Sequence, residues 1–93
     1  MKFGQDVASL AKKLILGYPL YFSYDRLNSE GRKVFEEMVR MIVYEHPELK
    51  KLVVKARRDP TLENVMKIVE RVLGEDAWNL VRESVEGPYE WRF

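Results

Sequence analysis

The chain has 93 residues, a formal net charge of +1, 46% hydrophobic and 33% charged side chains, and no cysteine. A chain this short builds one core, so a single domain over 1–93 is expected, and its apolar content is too high for a disordered segment. Without cysteine there is no disulfide framework, thiolate zinc site, iron–sulfur cluster or cysteine nucleophile; the fold must rest on packing or self-association, and a reducing cytoplasm is the expected compartment.

In chain order the periodicity is helical almost throughout. Val7, Leu10, Ala11, Leu14 and Ile15 predict a helix over 5–16, stopped at Gly17 with Pro19 beyond. Residues 17–24 are aromatic, β-prone and interrupted by Pro19; no partner strand is evident, so a packed loop or an irregular helical turn is expected. A helix over 29–45 follows, with Asn28 or Ser29 as its cap. Val34, Phe35, Met38, Val39, Met41, Ile42 and Val43 cover an arc wide enough to place this helix at the centre of the domain. Glu36 and Arg40 are spaced for an i,i+4 pair on its exposed side.

Pro47 suits the first turn of a third helix, 47–58, whose apolar side is Leu49, Leu52, Val53 and Ala56. Asp59-Pro60 reads as an N-cap followed by proline at the first helical position. The fourth helix then carries Leu62, Val65, Met66, Val69, Val72 and Leu73 up to Gly74. A fifth, 75–86, carries Ala77, Trp78, Leu80, Val81 and Val85 and ends at Gly87-Pro88. The expected fold is all-α: about five helices in a bundle or orthogonal array, with a short aromatic C-terminal tail.

No apolar run approaches the roughly 20 residues of a membrane span, and the first residues show no charged region leading into an apolar one, so neither a membrane partner nor a signal peptide is expected. Abundant Lys, Arg and Glu beside few amides (Gln5, Asn28, Asn64, Asn79) lean toward a thermostable protein. An idealised designed helical protein leans the same way, and the four methionines lean against the thermophile reading.

Charge is distributed unevenly. Residues 47–59 hold Lys50, Lys51, Lys55, Arg57 and Arg58 against Glu48 and Asp59; residues 75–93 hold Glu75, Asp76, Glu83, Glu86 and Glu90 against Arg82 and Arg92. The five basic side chains fall opposite the apolar side of the third helix, a pattern suited to phosphate contacts through counterion release. The strip has no Asn, Gln, Ser or Thr for reading bases, so binding there would be mostly non-specific. The plainer reading is a solvated face, or one that meets the acidic segment within the fold or across a dimer. Tyr18, Tyr21, Phe22 and Tyr24 would stack bases or, more simply, close the core as a lid; with Arg26 they make a better binding case if they share a face with the basic helix. Tyr89, Trp91 and Phe93 alternate with Glu90 and Arg92, a strand-like pattern suited to an intermolecular contact or to folding back on the bundle.

The segment Arg40-Met41-Ile42-Val43-Tyr44-Glu45-His46 resembles the Arg-x4–6-His element of HEPN-type ribonucleases, over seven of 93 residues. The resemblance implies an all-helical dimer in which His46 does acid/base work and Arg40 stabilises phosphate. Met41 departs from the polar residue often found after that arginine, and the chain is short for the family. With one histidine and scattered glycines there is no multi-histidine metal site, P-loop or dinucleotide fingerprint, so no catalytic residues, metal or cofactor are assigned. The leading expectation is a small interaction or regulatory protein whose partner is another protein or a second copy of itself. The alternative is a nucleic-acid-binding protein using Lys50, Lys51, Lys55, Arg57 and Arg58, with the ribonuclease as its remote enzymatic variant.

Overall fold

A computed structural model describes residues 4–86. Six helices occur among them: α1 (Gln5–Leu16), the single turn α2 (Tyr18–Tyr21), α3 (Ser29–Glu45), α4 (Lys50–Arg58), α5 (Leu62–Leu73) and α6 (Asp76–Glu86), with a 3-10 turn at Pro47–Leu49 leading into α4. The fold is all-α, and the helices share one core. Tyr89, Trp91 and Phe93, read as a contact segment, lie outside the described residues.

The expected central helix shares that place. α3 buries Val34, Phe35, Met38, Val39 and Ile42, while Met41 and Val43 are half-buried. α1 packs against α3, α5 and α6, and α5 packs against α1, α4 and α6, so the core is built around three helices rather than one. α5 buries Asn64, Val65, Met66, Ile68 and Val69, an arc wider than its apolar residues alone suggest. Asn64 is admitted because its Nδ2 donates to the Asp59 carbonyl at 2.8 Å, so no amide donor is stranded.

Three local expectations are corrected. The segment after Gly17 begins as the expected helical turn, α2, but its end does find a partner strand: β1 (Phe22–Ser23) pairs antiparallel with β2 (Arg26–Leu27), and Arg26 bridges on to Thr61. The partner was hidden because each strand has only two residues, too few to show an alternation. Asp59 does not cap the fourth helix. Thr61 does, its Oγ1 accepting from the Asn64 N–H at 3.2 Å, because the Pro60 carbonyl is used by the Leu27 N–H at 2.9 Å in the extension of the ribbon. Glu36 is not held by Arg40: the Arg57 guanidinium grips it with two bonds, Nε to Oε2 at 3.0 Å and Nη2 to Oε1 at 2.9 Å. A planar fork from a neighbouring helix matches a carboxylate better than an i,i+4 contact does.

Candidate binding face

α4 positions the basic residues. Leu49, Val53 and Ala56 are buried, which fixes the rotation of the helix and turns Lys50, Lys51, Lys55 and Arg58 to solvent. At 100° per residue these four and Val54 fall within an arc of about 140°. They line one shallow depression with Pro47, Glu48 and Asp59, and Val54, 40% exposed, lies among the cations. Arg57 sits at the edge of this arc, and its bonds to Glu36 tie α4 to α3, leaving four of the five basic side chains facing outward together.

The ribbon supplies the neighbouring surface. Its two-residue turn, Tyr24-Asp25, has φ of 53° and 60°, the pair of left-handed residues that a type I′ turn requires. Several bonds hold it. The Tyr18 hydroxyl donates to the Asp25 carboxylate, the Leu62 N–H donates to the Asp25 carbonyl at 2.8 Å, and Arg26 pairs with Asp59 at 2.9 Å. Burial first, then the hydrogen bond and negative charge of Asp25, push the Tyr18 phenol up to about 12. Tyr18 also stacks on Phe22, with ring centroids 5.1 Å apart. Phe22 is buried and Tyr18 and Tyr21 half-buried, so these three act as the expected lid; Tyr24 is 100% exposed and does not.

The aromatic ribbon and the basic helix do share a surface. A second depression is lined by Tyr24, Arg26, Lys55, Asp59, Glu63 and Trp78, among others, and Lys55 and Asp59 line the α4 depression as well. Trp78 was read from its spacing as part of the apolar side of the last helix, yet it is 43% exposed, and Val85 is 52% exposed. The buried stripe of α6 runs instead through Ala77, Val81 and Ser84, with the Ser84 hydroxyl satisfied by the Val81 carbonyl at 2.8 Å. Ser84 faces inward, and Val85, one position on, turns to solvent. For Tyr24 the available signal was the two-residue spacing between Phe22-Ser23 and Arg26-Leu27.

Two acidic side chains of the last helix lie elsewhere. Asp76 and Glu83 line a depression with Lys12, Val72 and Leu80, where α1, α5 and α6 meet. α4 packs on α3, the 3-10 turn and α5. The two residues of the ribonuclease-like element are placed apart in character: Arg40 lines a depression with Glu37, Met41, Tyr44 and Glu45, while His46 caps the C-terminus of α3 with its Nδ1 3.4 Å from Glu48. Among the described residues no group of His, Asp and Glu is arranged to hold a metal ion, and no helix is long and apolar enough to cross a membrane. No family model, curated protein or solved structure matches the chain.

Proposed function

We propose that this protein binds the phosphate backbone of nucleic acid through Lys50, Lys51, Lys55 and Arg58. The observation that carries this reading is the row itself: four cations side by side on one exposed helix face, offset in that depression only by Glu48 and by Asp59, which is itself paired with Arg26. Clustered like charges repel one another, and only Lys55 and Arg58, in the last turn of α4, are offset by the helix dipole; each one that meets a phosphate releases a counterion. The face carries no side chain suited to bidentate base recognition beyond Arg58, so the expected binding is weakly dependent on sequence.

The test is fluorescence anisotropy with labelled oligonucleotides at about 50 and about 200 mM salt. Four phosphate contacts give a log–log slope of about −3 to −3.6, a loss of roughly a hundredfold across that range. Reversing Lys51, Lys55 and Arg58 to Glu removes the binding while far-ultraviolet circular dichroism stays helical. Binding that survives the reversal rules this face out.

A second reading is self-association, favoured by the separation of charge onto two surfaces. The cationic depression on α4 and the depression holding Asp76 and Glu83 lie on different parts of the molecule, which suits a head-to-tail contact between copies. Under this reading the same charge reversal, or removal of 88–93 with its aromatic residues, lowers the sedimenting mass. An unchanged monomer in low salt ends it.

A further inference from the structure

Tyr24 occupies a place that costs energy and gives none back in packing. A bulky L-residue in the left-handed region is sterically strained, and Asn or Gly takes the same position in a type I′ turn at lower cost. Its side chain is 100% exposed, so no buried area offsets the strain. The surrounding bonds, Tyr18 and Leu62 to Asp25 and Arg26 to Asp59, hold the turn regardless of which residue stands at its tip. Strained residues held this way recur where a side chain must be presented to a ligand.

What Tyr24 is presented beside is specific. Trp78 lines the same depression, its indole Nε1 donating to Glu70 Oε2 at 3.1 Å, which fixes the ring while leaving it 43% exposed. Lys55 lies between this aromatic surface and the row on α4, belonging to both. Resting on the phosphate-binding reading above, we propose that the ligand is single-stranded nucleic acid, its backbone following the α4 row and its bases stacking on Tyr24 and Trp78. In a duplex the base faces are covered by their neighbours, so only a single strand gains from the two rings. Stacking suits every base, which agrees with a face that cannot read sequence. The row from Lys50 to Arg58 is about 12 Å long at the helical rise, a site for a few nucleotides. Asp25, Asp59 and Glu63 also line the second depression and outnumber Arg26 and Lys55 there, so phosphate is repelled and that surface is left to the bases.

The experiment compares a labelled oligothymidylate of about 15 nucleotides with a hairpin duplex, by anisotropy in low salt, for the wild type, Tyr24→Asn, Trp78→Ala, Trp78→Phe and the triple charge reversal. The single strand is expected to bind more tightly. Tyr24→Asn and Trp78→Ala each weaken it by roughly tenfold and leave the duplex affinity unchanged. Trp78→Phe keeps a stacking ring and stays within about threefold. Tyr24→Asn must also melt no lower than the wild type, so its loss of binding is not a loss of fold. Equal affinity for strand and duplex, or a Tyr24→Asn protein that binds the strand as well as the wild type, overturns the stacking proposal. If charge reversal still abolishes binding in that case, the phosphate-binding reading stands without it. If neither nucleic acid binds the wild type in low salt, both fall together.

Discussion

The core of α1, α3 and α5 and the corner formed by 17–28 are held together by different means. The core rests on apolar side chains at helical spacing: Leu14, Ile15, Phe35, Met38, Ile42, Met66 and Ile68 are all among the fully buried side chains. No single one of its contacts is unusual, and its stability is a sum of areas removed from water. The corner adds only Phe22 and Leu27 to that core. It is fixed by directed bonds, with Asn28 as the hub: its Nδ2 donates to the Leu20 carbonyl at 2.8 Å, its N–H to the Tyr21 carbonyl at 2.9 Å, and its Oδ1 accepts from Gly31 N–H at 2.8 Å. One asparagine therefore caps α3 and anchors α2. Area tolerates substitution by similar area; directed bonds do not. The core accordingly sets whether the chain folds, and the corner sets where Tyr24 is held.

Removing the largest core side chain gives the largest effect. Phe35→Ala is expected to lower stability by about 3–5 kcal/mol, through lost burial plus the cavity left behind. Urea unfolding followed by circular dichroism measures it, and a loss below about 1 kcal/mol would mean that the core is not shared across the helices. Gly31→Ala tests the junction between the two regions. In an ordinary helix this change gains about 1 kcal/mol from propensity. Here Gly31 is buried, and a Cβ would overlap the Tyr21 carbonyl oxygen and lie 2.9 Å from Leu27 Cδ2. The first obstacle is backbone and cannot turn aside. Overlap wins, and a net loss of about 1–3 kcal/mol is expected. A more stable variant would show that α2 docks on α3 less closely.

The same division explains what was legible in the sequence. The bounds of α1 and α3 follow from apolar spacing closed by Gly17 at one end and opened by Asn28 at the other, signals that are local and physical. The basic residues of α4 were equally visible, since the apolar side of its roughly two and a half turns fixes which way the helix faces. What was not visible is everything set by partners distant in sequence. Asp59-Pro60 has the local form of a helix start, but the Leu27 N–H, more than thirty residues away, takes the Pro60 carbonyl and moves the cap to Thr61. Arg57 looked equivalent to its basic neighbours until Glu36 of α3 met it. Trp78 looked like core because a large apolar residue is expected inside, while Ser84 took the inward position by bonding its own helix. The shared surface of Tyr24, Lys55 and Trp78 joins three segments, and no spacing rule reaches across them.

The smallest expected effect concerns the corner alone. The Tyr18 hydroxyl donates to the Asp25 carboxylate, and its ionisation is pushed up to about 12 from an ordinary value of 10.0. The fold therefore favours the neutral phenol more than the unfolded chain does. By linkage this contribution is fully present below about pH 10 and is lost as pH rises toward about 12, where the phenolate would face the carboxylate. The wild-type curve alone sums over every alkaline transition of the chain and is not diagnostic. The difference from Tyr18→Phe is. That variant keeps the stacked ring on Phe22 but has no proton to lose, and the wild type should converge on it in stability between pH 10 and 12. Because Asp25 forms half of the turn that carries Tyr24, the same alkaline range should loosen the corner before the core. Tyrosine absorbance and hydrogen exchange at the Leu27 and Leu62 amides would report the corner; far-ultraviolet circular dichroism would report the helices. Coincident transitions in all three would mean that the ribbon and the helical core unfold as one unit, and that the division between directed bonds and buried area does not extend to their dynamics.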